Sequence, residues 1–220
     1  MLQMQFRSVS RVPVSSRTQV VRVAAAKGGF GGAVRKVAPR VKHEQTVMEP
    51  CPCASGKSYK NCCQAVHTGK SSADTPEATL RARFAAFAKG QADYIIGTTH
   101  GDYHIHHYQV ATPGGAEERL REDVAGACNK FAFTGLKIVS NEPGVAEHEG
   151  YVSFEYLSRK RSVPGAPVPE EELRDTAAWS RTAERCRFVR TSSGAWQFVD
   201  YNTITLPANM LPEAATPAAF

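Results

Sequence analysis

The stretch Leu120-Arg121-Glu122-Asp123-Val124-Ala125-Gly126-Ala127-Cys128-Asn129-Lys130-Phe131-Ala132-Phe133-Thr134-Gly135-Leu136-Lys137-Ile138 contains the change of period that decides the fold. Leu120, Val124, Cys128 and Phe131 recur every three or four residues, which places them on one face of a helix and makes Cys128 a core residue. Beyond Phe131 the pattern alternates, so Leu136 and Ile138 fall on one face of a strand. The alternation continues downstream with Val152, Phe154 and Tyr156, then Cys186 and Phe188. After a Thr191-Ser192-Ser193-Gly194 turn it resumes with Trp196 and Phe198. Upstream the signals are helical. Asp74, Pro76 and Glu77 mark a helix start, Leu80, Phe84, Phe87 and Ala88 form its apolar stripe, and Gly90 stops it. A second short helix runs from Gln91 through Tyr94 and Ile95, and Gly114-Gly115 precedes the helix quoted first. Helices followed by antiparallel strands predict an α+β fold with the helices on one sheet face.

Ahead of this body, Cys51-Pro52-Cys53 and Cys62-Cys63 place four cysteines within thirteen residues. Two thiolates one residue apart can grip an ion from a tight turn, and a second pair can return to complete a tetrahedral site. Gly56 supplies the positive φ needed for reversal, and Lys57 to Asn61 fit one short helical turn. Disulfides fit poorly, because adjacent Cys62 and Cys63 cannot both meet the separations and directions of bridges to Cys51 and Cys53. Zinc is the expected cofactor. Neighbouring side chains diverge by about 100° on a helix, so Cys62 and Cys63 can face one ion only where the backbone changes direction. Otherwise His67, four residues on, is the substitute ligand.

The chain has 220 residues and a formal charge of +6, unevenly spread. No acidic residue precedes Glu44, whereas that stretch holds nine of the 27 Lys and Arg, leaving 18 basic against 21 acidic residues, a net −3, from Glu44 onward. The folded body is therefore mildly acidic, which argues against nucleic acid as its partner. The acid-free segment is rich in Arg, Ser and Val and has no continuous apolar run, the composition of an organellar transit peptide. It resembles a chloroplast transit peptide, with mitochondrial import as the alternative, and residues 1–43 are read as transit peptide and flexible linker. No run approaches the roughly 18 apolar residues of a membrane span.

Two carboxylates interrupt the apolar alternation. Glu184 shares a face with Cys186 and Phe188, and Asp200 shares one with Trp196 and Phe198, so an acid/base pair on adjacent strands is one expectation. Pairing with Arg185, Arg187 and Arg190 is the other. His104 and His106 would project together from an extended segment, with His100 and His107 nearby, and His148 aligns with Val152 and Phe154. Arg159-Lys160-Arg161 and Glu170-Glu171-Glu172 flank a proline-rich loop whose charges can pair across it.

The segment Cys51-Pro52-Cys53-Ala54-Ser55-Gly56-Lys57-Ser58-Tyr59-Lys60-Asn61-Cys62-Cys63 resembles the SEC-C motif, a zinc knuckle found in the SecA translocation ATPase. The resemblance implies Cys51, Cys53, Cys62 and Cys63 as ligands, with Tyr59 packed as a miniature core. Cys63 stands where SecA has His. Ala54 stands where the family has Gly, from which a position with no strict need for positive φ is expected. Farther on, His67-Thr68-Gly69, Thr75-Pro76-Glu77-Ala78, Leu80 to Phe87 and Gly90 to Tyr94 resemble the YchJ family, which joins this knuckle to a domain like nuclear transport factor two. That implies a knuckle over 44–70, a cystatin-like cone with a pocket at its wide end over 71–205, and a disordered tail over 206–220. Ala183 departs from the His common in the family before Glu184, which counts against an acid/base pair.

The expected function is a zinc-binding, non-enzymatic adaptor in the chloroplast stroma, its knuckle docking a translocation, chaperone or ribosomal partner. An enzyme or small-molecule binder using Glu184 and Asp200, and an RNA- or ribosome-associated factor, are the alternatives.

Overall fold

Thr75, not Asp74, caps the first long helix. Its hydroxyl accepts the Ala78 backbone N–H at 3.1 Å, and Pro76 occupies the first turn, where no N–H is needed. A computed structural model describes residues 48–108 and 114–206. The transit segment and linker expected over 1–43, and the tail beyond residue 206, lie outside the described residues.

A short 3-10 turn, Tyr59–Asn61, leads into α1 (Cys63–His67), followed by α2 (Pro76–Lys89), α3 (Ala92–Gly97), α4 (Gly101–Tyr108) and α5 (Gly115–Lys130). Strands β1 (Phe131–Pro143) and β2 (Glu149–Lys160) come next. Helix α6 (Glu170–Arg174) then precedes β3 (Ser180–Arg190) and β4 (Trp196–Thr203). The four strands form one antiparallel sheet in the order β1-β2-β3-β4, as the alternation predicts. The connection from β2 to α6 is held by Arg159, whose guanidinium reaches the Glu172 carboxylate at 3.0 Å across the proline-rich loop.

Helix α2 is the structural centre. Leu80 and Phe84 pack with Leu136, Val152, Phe154, Cys186, Phe188 and Phe198 of the sheet. Ala82 and Ala85 face the cysteine segment. Ala86 joins Ile95, Ile96, Leu120 and Val124 of α3 and α5, with Cys128 half-buried at the edge. A helix covered on three sides has no broad polar stripe. Gly90 ends it in the left-handed conformation at φ 68°, which a residue with a Cβ adopts only under strain.

The same helix buries Arg83. Its Nη1 donates to the Ile95 carbonyl at 2.8 Å and to the hydroxyls of Thr98 and Thr99 at 2.8 and 3.1 Å. The guanidinium also lies 4.6 Å from the Phe198 ring centroid. Thr98 and His100 in turn bond the backbone of Phe198, so the segment after α3 covers part of the β4 edge.

Three breaks in the register shape the sheet. In β1, Gly135 at φ 66° and Leu136 together occupy the space opposite one residue, Tyr156, so apolar parity moves from Phe133 to Leu136 and Ile138. A second break leaves Val139 as the additional residue between the pairs Ile138↔Phe154 and Ser140↔Ser153. A third lies between the pairs Arg187↔Asp200 and Phe188↔Phe198, where Val199 is the additional residue.

Candidate metal centre and the sheet carboxylates

The knuckle is built from two reversals. Pro50 and Ser58 form an antiparallel bridge, the Cys51 N–H bonds the Lys57 carbonyl at 2.8 Å, and Ala54 N–H closes a turn on the Cys51 carbonyl at 3.2 Å. Gly56 takes φ 74°, as the turn requires. Ala54 also takes a positive φ, 59°, which overturns the expectation that this position does not need it. The turn imposes a left-handed residue, and alanine occupies it against the steric preference of its Cβ.

Cys62 sits between the 3-10 turn and α1 with φ −135° and ψ −112°. This change of backbone direction lets adjacent side chains face one point, the condition set by the Cys62-Cys63 dipeptide. The sulfurs of Cys53 and Cys62 are 3.6 Å apart and those of Cys62 and Cys63 3.9 Å. All four sulfurs, with those of Cys51, lie within 4.8 Å of one another. A tetrahedral ion with metal–sulfur bonds of about 2.3 Å needs sulfurs about 3.8 Å apart, so the quartet could hold a metal ion.

Charge argues the same way. Hydrogen bonding from Cys63, helped by Ser55, brings the Cys53 thiol down to about 4 against the cost of burial. Burial pushes Cys51 up to about 11, and its hydrogen bond to Cys53 together with burial holds Cys63 far above the usual thiol range. One thiolate is thus accommodated by its neighbours, whereas four need a multivalent cation.

His67 stands apart from the sulfurs. Its Nε2 lies 2.9 Å from the Ala82 carbonyl and its Nδ1 3.0 Å from the Tyr59 hydroxyl. A carbonyl can only accept, so Nε2 carries the proton and Nδ1 accepts from Tyr59. The ring lies 4.6 Å from that of Tyr94 in a tilted contact, and burial lowers its pKa. Both nitrogens are therefore committed to fastening the knuckle onto α2. Two further bonds join the same elements: Arg81 Nη1 donates to the Cys53 carbonyl at 2.6 Å, and the Cys63 thiol points at the Arg81 carbonyl at 3.8 Å. Tyr59 packs against the cysteines as expected. The role of His67 was missed because its partner, a main-chain carbonyl fifteen residues on, has no sequence signature.

The carboxylates do not converge. Glu184 is on the helix-covered face, where Tyr156 Oη donates to it at 3.0 Å. Asp200 is on the opposite face, paired with Arg187 at 2.9 Å. The extra residue Val199 reverses the parity of β4 after Phe198, so Asp200 does not share a face with Phe198 and Trp196. An acid/base pair of Glu184 and Asp200 is thereby corrected to one interior carboxyl and one exterior ion pair.

Residues 101–108 are helical, so the extended alternation that was to bring His104 and His106 together is absent. Of their neighbours, His100 lies 3.4 Å from the Asp102 carboxylate, and His107 stacks on Tyr103 at 4.9 Å. His148 is exposed in the turn before β2, its carbonyl accepting from the Arg190 N–H, and does not line the sheet interior.

Comparison with known proteins agrees with both halves of this architecture. Residues 49–65 match the SEC-C motif, and residues 75–201 match the family described as YchJ, middle NTF2-like domain. A UPF0225 protein from Deinococcus radiodurans is 56% identical over 153 residues, covering 70% of this chain and 88% of that protein. A UPF0225 protein from Pectobacterium carotovorum is 30% identical over 156 residues, 70% of this chain and 83% of that protein. The crystal structure of a SEC-C motif containing protein from Psychrobacter arcticus superposes with a TM-score of 0.50 at 19% identity, covering 76% of this chain and 89% of that one. A cysteine knuckle fastened to an NTF2-like helix-and-sheet domain, matched along most of its length by these relatives, makes this chain a member of the YchJ (UPF0225) family.

Proposed function

We propose that Cys51, Cys53, Cys62 and Cys63 hold a structural zinc ion and that the knuckle so formed docks a protein or ribosomal partner of the translocation or chaperone kind. Four sulfur donors suit zinc and leave no open position for water or substrate, so the ion supplies a cross-link and not a reaction. The observation that carries the docking role is the placement of the exposed loop Ala54 to Lys57 on a knuckle fastened to α2 through His67 and Arg81. A short loop held at both ends loses little conformational freedom when it binds. The acid-free segment before Glu44 supports delivery to the chloroplast stroma, with the mitochondrion as the alternative address. Among the described residues no helix is long and apolar enough to cross a membrane.

The test pairs metal analysis with affinity capture from stroma, comparing the intact protein with Cys62→Ser/Cys63→Ser. One zinc per chain and a partner lost with the two thiols are expected. Full metal loading of the variant overturns the ligand set, and capture of the same partner by both forms overturns the docking role.

A further inference from the structure

The sheet strands carry five carboxylates, and four of them meet cations on the face away from α2. Glu142 pairs with Arg185 at 2.8 Å, Glu149 with Arg187 at 3.2 Å, Glu155 with Lys137 at 3.5 Å, and Asp200 with Arg187 at 2.9 Å. Glu184 is the exception. It projects from the helix-covered face, opposite Phe154 in the β2 register, and its described partner is the Tyr156 hydroxyl. Among the described residues no ammonium or guanidinium pairs with it. A carboxylate taken partly out of water without a cation is costly, and burial accordingly raises its pKa.

Its surroundings are aromatic. The Tyr156 ring lies 5.8 Å from Phe154 and 6.0 Å from Phe84. Tyr201, on the adjacent strand β4, stands opposite Cys186 on the same face of the sheet, one diagonal step from Glu184, and is 45% exposed; burial first, and then the Glu184 charge, raise its hydroxyl pKa. Arg83, a buried cation on the same side of the sheet, is committed to Ile95, Thr98 and Thr99 and to the Phe198 ring. A partly desolvated carboxylate with aromatic rings around it and solvent access along one of them is a complementary environment for a positive charge carried on hydrocarbon. The carboxylate supplies the countercharge, and the ring faces attract the cation through their quadrupoles while covering its apolar groups.

We propose that Glu184, with Tyr156 and Tyr201, forms a binding site for a small organic cation, an alkyl- or arylammonium. The site is independent of the cysteine quartet and of any partner at the knuckle, and Asp200 has no part in it. Tyr156 positions the carboxylate through its hydroxyl, and Tyr201 forms the solvent-facing wall.

The experiment titrates benzyltrimethylammonium into the full-length protein at neutral pH, followed by calorimetry and by tyrosine resonances, with benzyl alcohol as the uncharged counterpart. Saturable one-site binding is expected, at least tenfold weaker in Glu184→Gln and several-fold weaker in Tyr201→Leu, with benzyl alcohol at least tenfold weaker than the ammonium. Glu184→Gln keeps the hydrogen bond with Tyr156 and leaves the fold intact by circular dichroism; should it not fold, Glu184→Asp serves, since it withdraws the charge from the rings by one methylene. No saturable binding, binding unchanged in these variants, or equal affinity for benzyl alcohol overturns the proposal.

Discussion

The knuckle and the sheet domain reach order by different means. In the sheet domain Phe188, Val152 and Ile95 are fully enclosed, and burial of such side chains contributes roughly 1.5–3 kcal/mol each. The knuckle's buried hydrophobic residues are its own cysteines, with Tyr59 and Val66 only partly covered. Removing apolar surface from water supports the larger region, but the knuckle has too little such surface, leans on the face of α2, and under the proposed function gains the rest from a metal cross-link. A short motif can thus be legible from its ligands alone, whereas a sheet is legible from its periodicity.

The contrast breaks most visibly on metal removal. Structural zinc contributes on the order of 10 kcal/mol in small knuckles, so chelation is expected to collapse the amide dispersion of residues 49–65 while sheet amides stay protected against exchange. Loss of protection in β2 and β3 at the same chelator concentration would show that the two regions fold as one. Phe188→Ala tests the other side. It is expected to cost about 3–5 kcal/mol in denaturant unfolding of the sheet, with zinc stoichiometry unchanged.

Smaller effects sharpen the boundary. His67→Ala leaves the Tyr59 hydroxyl and the Ala82 carbonyl without their partner, a loss of about 1–3 kcal/mol that is expected in knuckle exchange rates and not in metal content. Ala54→Gly relieves a left-handed alanine and is expected to stabilise the knuckle by about 1 kcal/mol, seen as resistance to chelator. The least effect is expected from pH. Because burial raises the Glu184 pKa, the folded chain holds this proton more tightly than the unfolded one, and stability falls as pH rises from the usual carboxylate range through the raised value. Glu184→Gln is expected to flatten that part of the stability curve, and an unchanged slope would show that the carboxyl is well hydrated.

Much of this was readable from residues. The period change after Phe131 marks the end of α5 and the start of β1, and the four cysteines announce a metal-competent cluster by spacing. What escaped was parity and backbone direction. A β-bulge inserts one residue without altering composition, so Asp200 appears to continue the Trp196–Phe198 face although Val199 has already turned it outward. Gly135 marks one of the two breaks in β1, but a glycine in a strand has several meanings, and Val139 at the other carries no signal at all. Ala54 concealed a left-handed turn behind a residue that normally avoids it. The segment after Gly97 gave a helix of its own, α4, where its histidines suggested an extended run; helix propensity there is modest, and packing of Tyr103 against Phe198 supplies the support that sequence does not show.

The central position of α2 has a mechanical consequence. A partner pulling on the knuckle would not load the linker between His67 and Thr75 first, because the Ala82 and Cys53 carbonyls are already bonded across the contact. Tension would pass into the side of the helix, and from Leu80 and Phe84 into the sheet as shear spread over many packed atoms. Ala82 and Ala85 keep the knuckle close to the helix axis, so a larger residue at either would lengthen the lever and weaken the coupling.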